Sequence, residues 1–212
     1  MLEREREHLA AVGRRLGEER LVLGGAGNLS MRAGDQVAIS AAKASLATLD
    51  PADVVVVDLD GELLDGERPA SSELKLHLGV YRRFGAEAVV HTHSPSAAAL
   101  SCVLAEVPVV HYQMLLLGGP VRVAPYATFG SSKLAEVTVE ALEGRTAALM
   151  ANHGAIVHGT DLEVAFERAR LLEWLCELYL RASVAGKPRV LTEEEQLAVV
   201  SAGSHRGYGA AR

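Results

Sequence analysis

Apolar residues recur near helical spacing at Leu2, Leu9, Val12 and Leu16 in a charged background, which predicts an amphipathic helix ending at the Gly24-Gly25-Ala26-Gly27 cluster. Residues 29–32 and 36–40 then read as short strands joined by an Ala33-Gly34-Asp35 turn. The valine run at 54–57 suits a strand buried on both faces, and Asp60-Gly61 suits the turn that follows it. Ser71-Ser72-Glu73 predicts the start of a helix running to about Phe84, with a serine cap and an acid where the helix dipole favours negative charge. A strand at 88–93 and a helix from Pro95 to about Leu104 come next. Further along, strands are predicted at 121–124 and 147–150 and a helix at 131–142, and the last strand leads into Asn152-His153-Gly154. Asp161 is placed to cap the longest helix, which reaches about Val184 with Leu162, Ala165, Phe166, Ala169, Leu172 and Cys176 on one stripe. A short helix over 192–200 and a polar tail over 203–212 complete the chain.

Strands and helices mix without strict βαβ alternation, and no repeat, low-complexity tract or linker divides them. The expectation is one α/β domain over residues 1–212, with a mixed or antiparallel sheet covered by helices. At 212 residues, 49% hydrophobic and 23% charged, the chain is long and apolar enough for a substantial core. A net charge of -6 and 4% aromatic residues argue against nucleic-acid binding, which needs a basic face and stacking side chains. Cys102 and Cys176 lie far apart without a CxxC, so they build neither a disulfide framework nor a thiolate zinc site. The mixed-charge start Met1-Leu2-Glu3-Arg4-Glu5-Arg6-Glu7 is unlike a secretory signal, and no apolar stretch is long enough for a membrane span. A soluble protein of the reducing cytoplasm, with no membrane partner, is expected.

The strongest chemical signal is His91-Thr92-His93. Residues two apart on a strand share a face, so both imidazoles can close on one ion, although the same spacing also suits one packed and one surface histidine. His153, just past another strand's end, supplies a third imidazole; three histidines with one open position are the ligand pattern of a catalytic zinc. Glu73 is a candidate fourth ligand, or equally a surface acid that complements a helix dipole. The Gly24-Gly25-Ala26-Gly27-Asn28 loop and Ser71-Ser72 offer main-chain amides and hydroxyls to an anion, and each also has an ordinary reading as a turn or a cap. His8, His77, His158 and His205 have no partner at ligand spacing and read as ordinary, and Trp174, Leu175, Leu178 and Tyr179 read as packing or interface residues.

Six motifs stand together in order: Gly27-Asn28-Leu29-Ser30, Ser71-Ser72-Glu73, His91-Thr92-His93, His111-Tyr112, 124–130 (APYATFG) and Asn152-His153-Gly154. In this the chain resembles the class II aldolase/adducin head family, most of all its L-fuculose-1-phosphate aldolase branch, from the first helix to Tyr208-Gly209. The resemblance implies a single three-layer α/β/α domain with a mainly antiparallel central sheet, assembled as a C4 homotetramer with active sites at subunit interfaces. It implies a zinc-dependent lyase that cleaves a small ketose 1-phosphate, such as L-fuculose 1-phosphate, to dihydroxyacetone phosphate and a short aldehyde through a metal-stabilised enediolate. One Zn2+ per subunit, or Co2+ or Mn2+ in its place, would sit on His91, His93 and His153, with Glu73 as a resting ligand that moves away to act as acid or base. Tyr112 would be a proton donor from a neighbouring subunit, Phe129 would shape the aldehyde pocket and Tyr208 would close over it. Gly27, Asn28, Ser71 and Ser72 would hold the phosphate. Where the family carries hydroxyl residues and a glycine, this chain has Gly25 and Ser40-Ala41-Ala42-Lys43, so Lys43 is either a solvated loop lysine or an ammonium that replaces them as phosphate contact. A pentulose-phosphate 4-epimerase, a methylthioribulose-phosphate dehydratase and a non-catalytic adducin-like interaction module are the competing outcomes on the same fold.

Overall fold

In the computed structural model, which describes residues 1–205, helix α1 (Glu3–Glu18) buries Leu9, Val12 and Leu16. It stops short of the glycine cluster, because the backbone turns at left-handed Arg20 and tucks Leu21 and Val22 into the core. An antiparallel meander follows: β1 (Asn28–Ala33), β2 (Gln36–Ser40), β3 (Val54–Asp58) and the short β4 (Leu63–Asp65), which the sequence did not suggest. Then come α2 (Leu74–Phe84), β5 (Ala88–Thr92), α3 (Pro95–Ser101), β6 (Glu106–Val107), β7 (Val121–Ala124), α4 (Ser132–Ala141), β8 (Ala147–Met150) and β9 (Gly154–Gly159). The long α5 (Leu162–Ala185) begins with the Asp161 side chain accepting from the Val164 amide at 2.7 Å, as its sequence predicts. Helix α6 (Glu193–His205) runs past residue 200 into what reads as tail, started by reciprocal bonds between Thr192 and Glu195.

The sheet has nine strands in the order β4-β3-β2-β1-β5-β9-β8-β7-β6. It is mixed: β7 and β8 run parallel and every other neighbouring pair is antiparallel. Alternation along the strands divides the core in two. Leu29, Ala38, Val90, Leu149 and Val157 pack with α1, α3 and α5 on one face. Val37, Ile39, Val55, Val89 and Ile156 pack with α2 and α4 on the other, which gives the α/β/α layering. No described helix is long and apolar enough to cross a membrane.

One predicted element start moves. The α2 helix opens at Leu74 rather than Ser71, and no side chain caps it. Glu73 holds the cap position, yet its carboxylate is drawn instead toward a cluster of histidines. Ser71 accepts from the Glu73 amide at 3.3 Å and so stabilises the turn before the helix.

Candidate active site

Strand β5 lies between β1 and β9, with Asn28 opposite His91 on one side and Ile156 on the other. His91 is fully buried on the α2 face of the sheet, and His93 follows just past the strand's end. His153 stands in the tight turn from β8 to β9, which left-handed Asn152 makes possible, and its amide donates to the Met150 carbonyl at 3.1 Å. The three rings are 4.7, 4.9 and 4.9 Å apart between centroids. One ligand nitrogen from each lies within 4.8 Å of the others.

These residues fit a divalent cation. His91 Nδ1 donates to the Ala155 carbonyl at 2.9 Å, which leaves the Nε2 lone pair facing the cluster. His91 Nε2 is 2.9 Å from His93 Nε2 and 3.0 Å from Glu73 Oε2, while Glu73 Oε1 is 3.5 Å from His153 Nε2. Ligands at about 2.0–2.1 Å on a tetrahedral ion would sit about 3.3 Å from one another, close to this spread. Glu73 Oε1 is buried without a hydrogen-bond partner, and a buried unpaired carboxylate oxygen beside three imidazole nitrogens is what a cation would satisfy.

Burial by itself would raise the Glu73 pKa, but the facing His91 and His153 and the Asn28 amide outweigh it and hold the carboxyl well below its usual range. Burial and the neighbouring His91 and His153 push His93 down to about 4, and burial with His91 lowers His153. His91 moves the other way, since the opposing carboxylate overcomes its desolvation. The arrangement is therefore an ionised carboxylate among three imidazoles, with His93 and His153 shifted toward the neutral form that ligates a metal and His91 drawn toward a proton by the carboxylate, a positive charge that a bound cation would replace.

A cavity of about 350 Å³ opens over the cluster. Gly25, Gly27, Asn28, Ala42, Lys43, Ser71 and Ser72 form one wall, Glu73, His91, His93 and His153 form the other, and Tyr126, Phe129 and Asn152 stand around them. The fold thus brings together all but two of the side chains singled out from the sequence. Tyr112 begins a 3-10 helix (Tyr112–Leu117), exposed and absent from the cavity lining, its ring 4.6 Å from that of His111. Tyr208 lies outside the described residues. Lys43 is exposed at a left-handed φ of 60°. Its backbone lies beside Gly25, where a Cβ would make an ordinary contact of 3.7 Å with the Lys43 carbonyl oxygen. Tyr126 and Asn152 are cavity residues that the sequence did not single out, although both lie inside its quoted motifs.

Two glycines let the strands close around the cluster. At Gly27, φ is +85° and a Cβ would fall 2.9 Å from the His91 carbonyl oxygen. At Gly154, a Cβ would fall 2.3 Å from the Thr92 carbonyl oxygen and 3.4 Å from His91 Cε1. Gly154→Ala is accordingly expected to force β9 away from β5 and destabilise the protein by about 1–3 kcal/mol, read as a lower urea midpoint at unchanged slope. A midpoint equal to wild type would show that the strands can relax around the methyl group.

The α/β/α sheet with three imidazoles and a carboxylate under an open, glycine- and serine-lined cavity defines a protein with a candidate divalent-metal centre. The chain belongs to the family described as Class II Aldolase and Adducin N-terminal domain, which matches residues 7–180. It is 39% identical over 212 residues to a 5-deoxy-D-ribulose 1-phosphate aldolase from Bacillus thuringiensis serovar kurstaki, covering 99% of each chain. It is 40% identical over 174 residues to a 5-methylthioribulose-1-phosphate/5-deoxyribulose-1-phosphate aldolase from Rhodospirillum rubrum, covering 81% of this chain and 78% of the relative. Among solved structures it superposes on an L-fuculose 1-phosphate aldolase with a TM-score of 0.89 at 34% identity, covering 94% and 96% of the two chains.

Proposed function

We propose that the protein is a zinc-dependent aldolase that cleaves 5-deoxyribulose 1-phosphate, or a closely related ketose 1-phosphate, between C3 and C4. The products are dihydroxyacetone phosphate and a short aldehyde. The observation that carries this reading is the end-to-end match to a relative of that name, in a chain that keeps three imidazoles and Glu73 in one cluster. The same cluster weighs against a non-catalytic adducin-like module. L-fuculose 1-phosphate is the second reading, favoured by the likeness to the solved aldolase of that substrate.

Breaking the bond leaves an electron pair next to the ketone; His91, His93 and His153 would hold a divalent cation, which would supply the positive charge that stabilises it. Glu73, held ionised by its neighbours, takes a proton from the donor carbon in the condensation direction and returns it in cleavage. Tyr112 handles the proton on the aldehyde oxygen from an adjacent subunit of a C4 homotetramer, a role suited to a side chain exposed away from its own cavity. Gly27, Asn28, Ser71 and Ser72 hold the phosphate, with the Lys43 ammonium in place of the family's missing hydroxyls. Phe129 borders the aldehyde end. The whole chain acts as one such domain, and the free thiols of Cys102 and Cys176 suit a cytoplasmic setting.

The test is a panel of 5-deoxyribulose 1-phosphate, L-fuculose 1-phosphate, 5-methylthioribulose 1-phosphate and ribulose 5-phosphate, offered to the zinc-loaded protein with release of dihydroxyacetone phosphate followed. The deoxypentulose phosphate is expected to lead in kcat/KM by about tenfold or more, the scale on which a pocket separates substrates differing by small groups. Epimerised ribulose phosphate, dehydrated methylthioribulose phosphate, or no triose phosphate from any substrate would overturn the reading.

A further inference from the structure

Beneath the cavity, two periodicities interlock. Asn28 and Ser30 stand two apart on β1, facing α2. Glu73, His77 and Tyr81 stand four apart along one stripe at and within α2, facing β1. Together they form one ladder, and all five side chains are buried. Asn28 Nδ2 is 3.2 Å from Glu73 Oε2, and Asn28 Oδ1 is 2.5 Å from His77 Nε2. Ser30 Oγ is 2.6 Å from His77 Nδ1 and 2.6 Å from the Tyr81 hydroxyl.

Full burial keeps the His77 ring neutral, and counting protons then leaves one arrangement. The Glu73 carboxylate only accepts, so the Asn28 amide must turn its NH2 toward it and its carbonyl oxygen toward His77. That oxygen requires a donor, so His77 carries its proton on Nε2 and Nδ1 becomes an acceptor. Ser30 must then spend its single hydrogen on Nδ1, which leaves its oxygen to accept from the Tyr81 hydroxyl. Every bond points from the core toward the active-site carboxylate. Sinking five polar side chains between a strand and a helix is costly, and apolar residues would fill the same space at least as well for stability.

We propose that His77 is a positioning residue of the active site, which, as the Nε2–H tautomer, locks the Asn28 amide so that it holds Glu73. Because Asn28 also lines the cavity, the same lock sets the direction of its second N–H toward substrate. The kinetic part of this inference rests on the aldolase reading above, and the tautomer part does not.

The first measurement is the ¹⁵N–¹H NMR of the His77 ring in metal-free protein. A protonated Nε2 with an unprotonated Nδ1 is expected, and the opposite tautomer overturns the proposal. The second is a variant set. His77→Phe keeps a ring but removes both contacts, and should lower kcat by about ten- to a hundredfold, the usual cost of losing a partner behind a site residue. His77→Gln restores an N–H near the Nε2 position and should recover most of that loss. Asn28→Ala should cost at least as much as His77→Phe, and the double variant should be no worse than Asn28→Ala alone. Additive losses, or a His77→Gln enzyme no better than His77→Phe, would assign His77 to packing only. Should His77→Phe not fold, the tautomer and His77→Gln still decide. A wild-type protein inactive on every ketose phosphate would sink the aldolase reading, yet the tautomer would stand or fall by itself.

Discussion

His93→Ala is expected to leave a folded protein that holds no stoichiometric metal and cleaves no substrate. His93 stands past the end of β5 and is only half-buried, so its removal spares the strand pairing that His91 sits within. What remains is His91, His153 and Glu73, with the Nε2 atom that lay 2.9 Å from His91 Nε2 gone. Losing a group that merely orients a ligand costs about 10–100-fold in metal affinity, and losing a ligand itself costs more. Elemental analysis after zinc loading and dialysis should therefore fall from one equivalent per chain to a small fraction, with the circular dichroism spectrum unchanged. Full zinc occupancy in the variant would mean that the imidazole cluster is not the metal site.

Glu73→Gln separates charge from shape. The glutamine can still accept from Asn28 Nδ2 through its carbonyl oxygen, so the ladder beneath the cavity survives, while the carboxylate between His91 and His153 is lost. Under the proposed chemistry this removes the group that moves the proton at the donor carbon. The expected result is a fall in kcat of about 10² to 10⁴, with folding intact and zinc largely retained on the three histidines. Near-normal turnover in a zinc-loaded Glu73→Gln protein would give proton transfer to another group.

Much of this was legible in the chain, and the failures share a cause. The α1 and α5 stripes are periodic over many residues, and the residues predicted to face inward on α5 are buried. β4 and β6 are too short for two-residue alternation to register, and β9 follows β8 so tightly that Gly154–Gly159 reads as the aftermath of a histidine motif. The parallel β7–β8 pair is a strand–helix–strand unit crossing over through α4, whose three elements the sequence shows, but a single such unit is lost among antiparallel neighbours when the chain is read for strict alternation. At the site, His91, His93 and His153 stand out because metal ligation demands a residue type at a spacing. His77 does not stand out: its partners Asn28 and Ser30 are 49 and 47 residues away, and its isolation along the chain made it look ordinary. Glu73 was legible as an acid at a helix start, but not as one turned inward, since that depends on β1 passing beneath α2.

The strand order has a consequence for how the protein becomes functional. Strands β1 to β4 close on one another in sequence as a meander, and β8 and β9 form a tight local pair, so both groups can assemble early from short loops. The strand that carries His91 sits between β1 and β9, next to neither of its chain neighbours, and pairs only when distant segments meet. The imidazole cluster is therefore divided across a seam: His91 and His93 come with β5, and His153 comes with the β8–β9 pair. The three imidazoles come together only where β5 pairs with β9, a contact between segments distant in the chain. A metal ion held there would act as a rivet between the two halves, and tight occupancy would add to resistance against opening along that line.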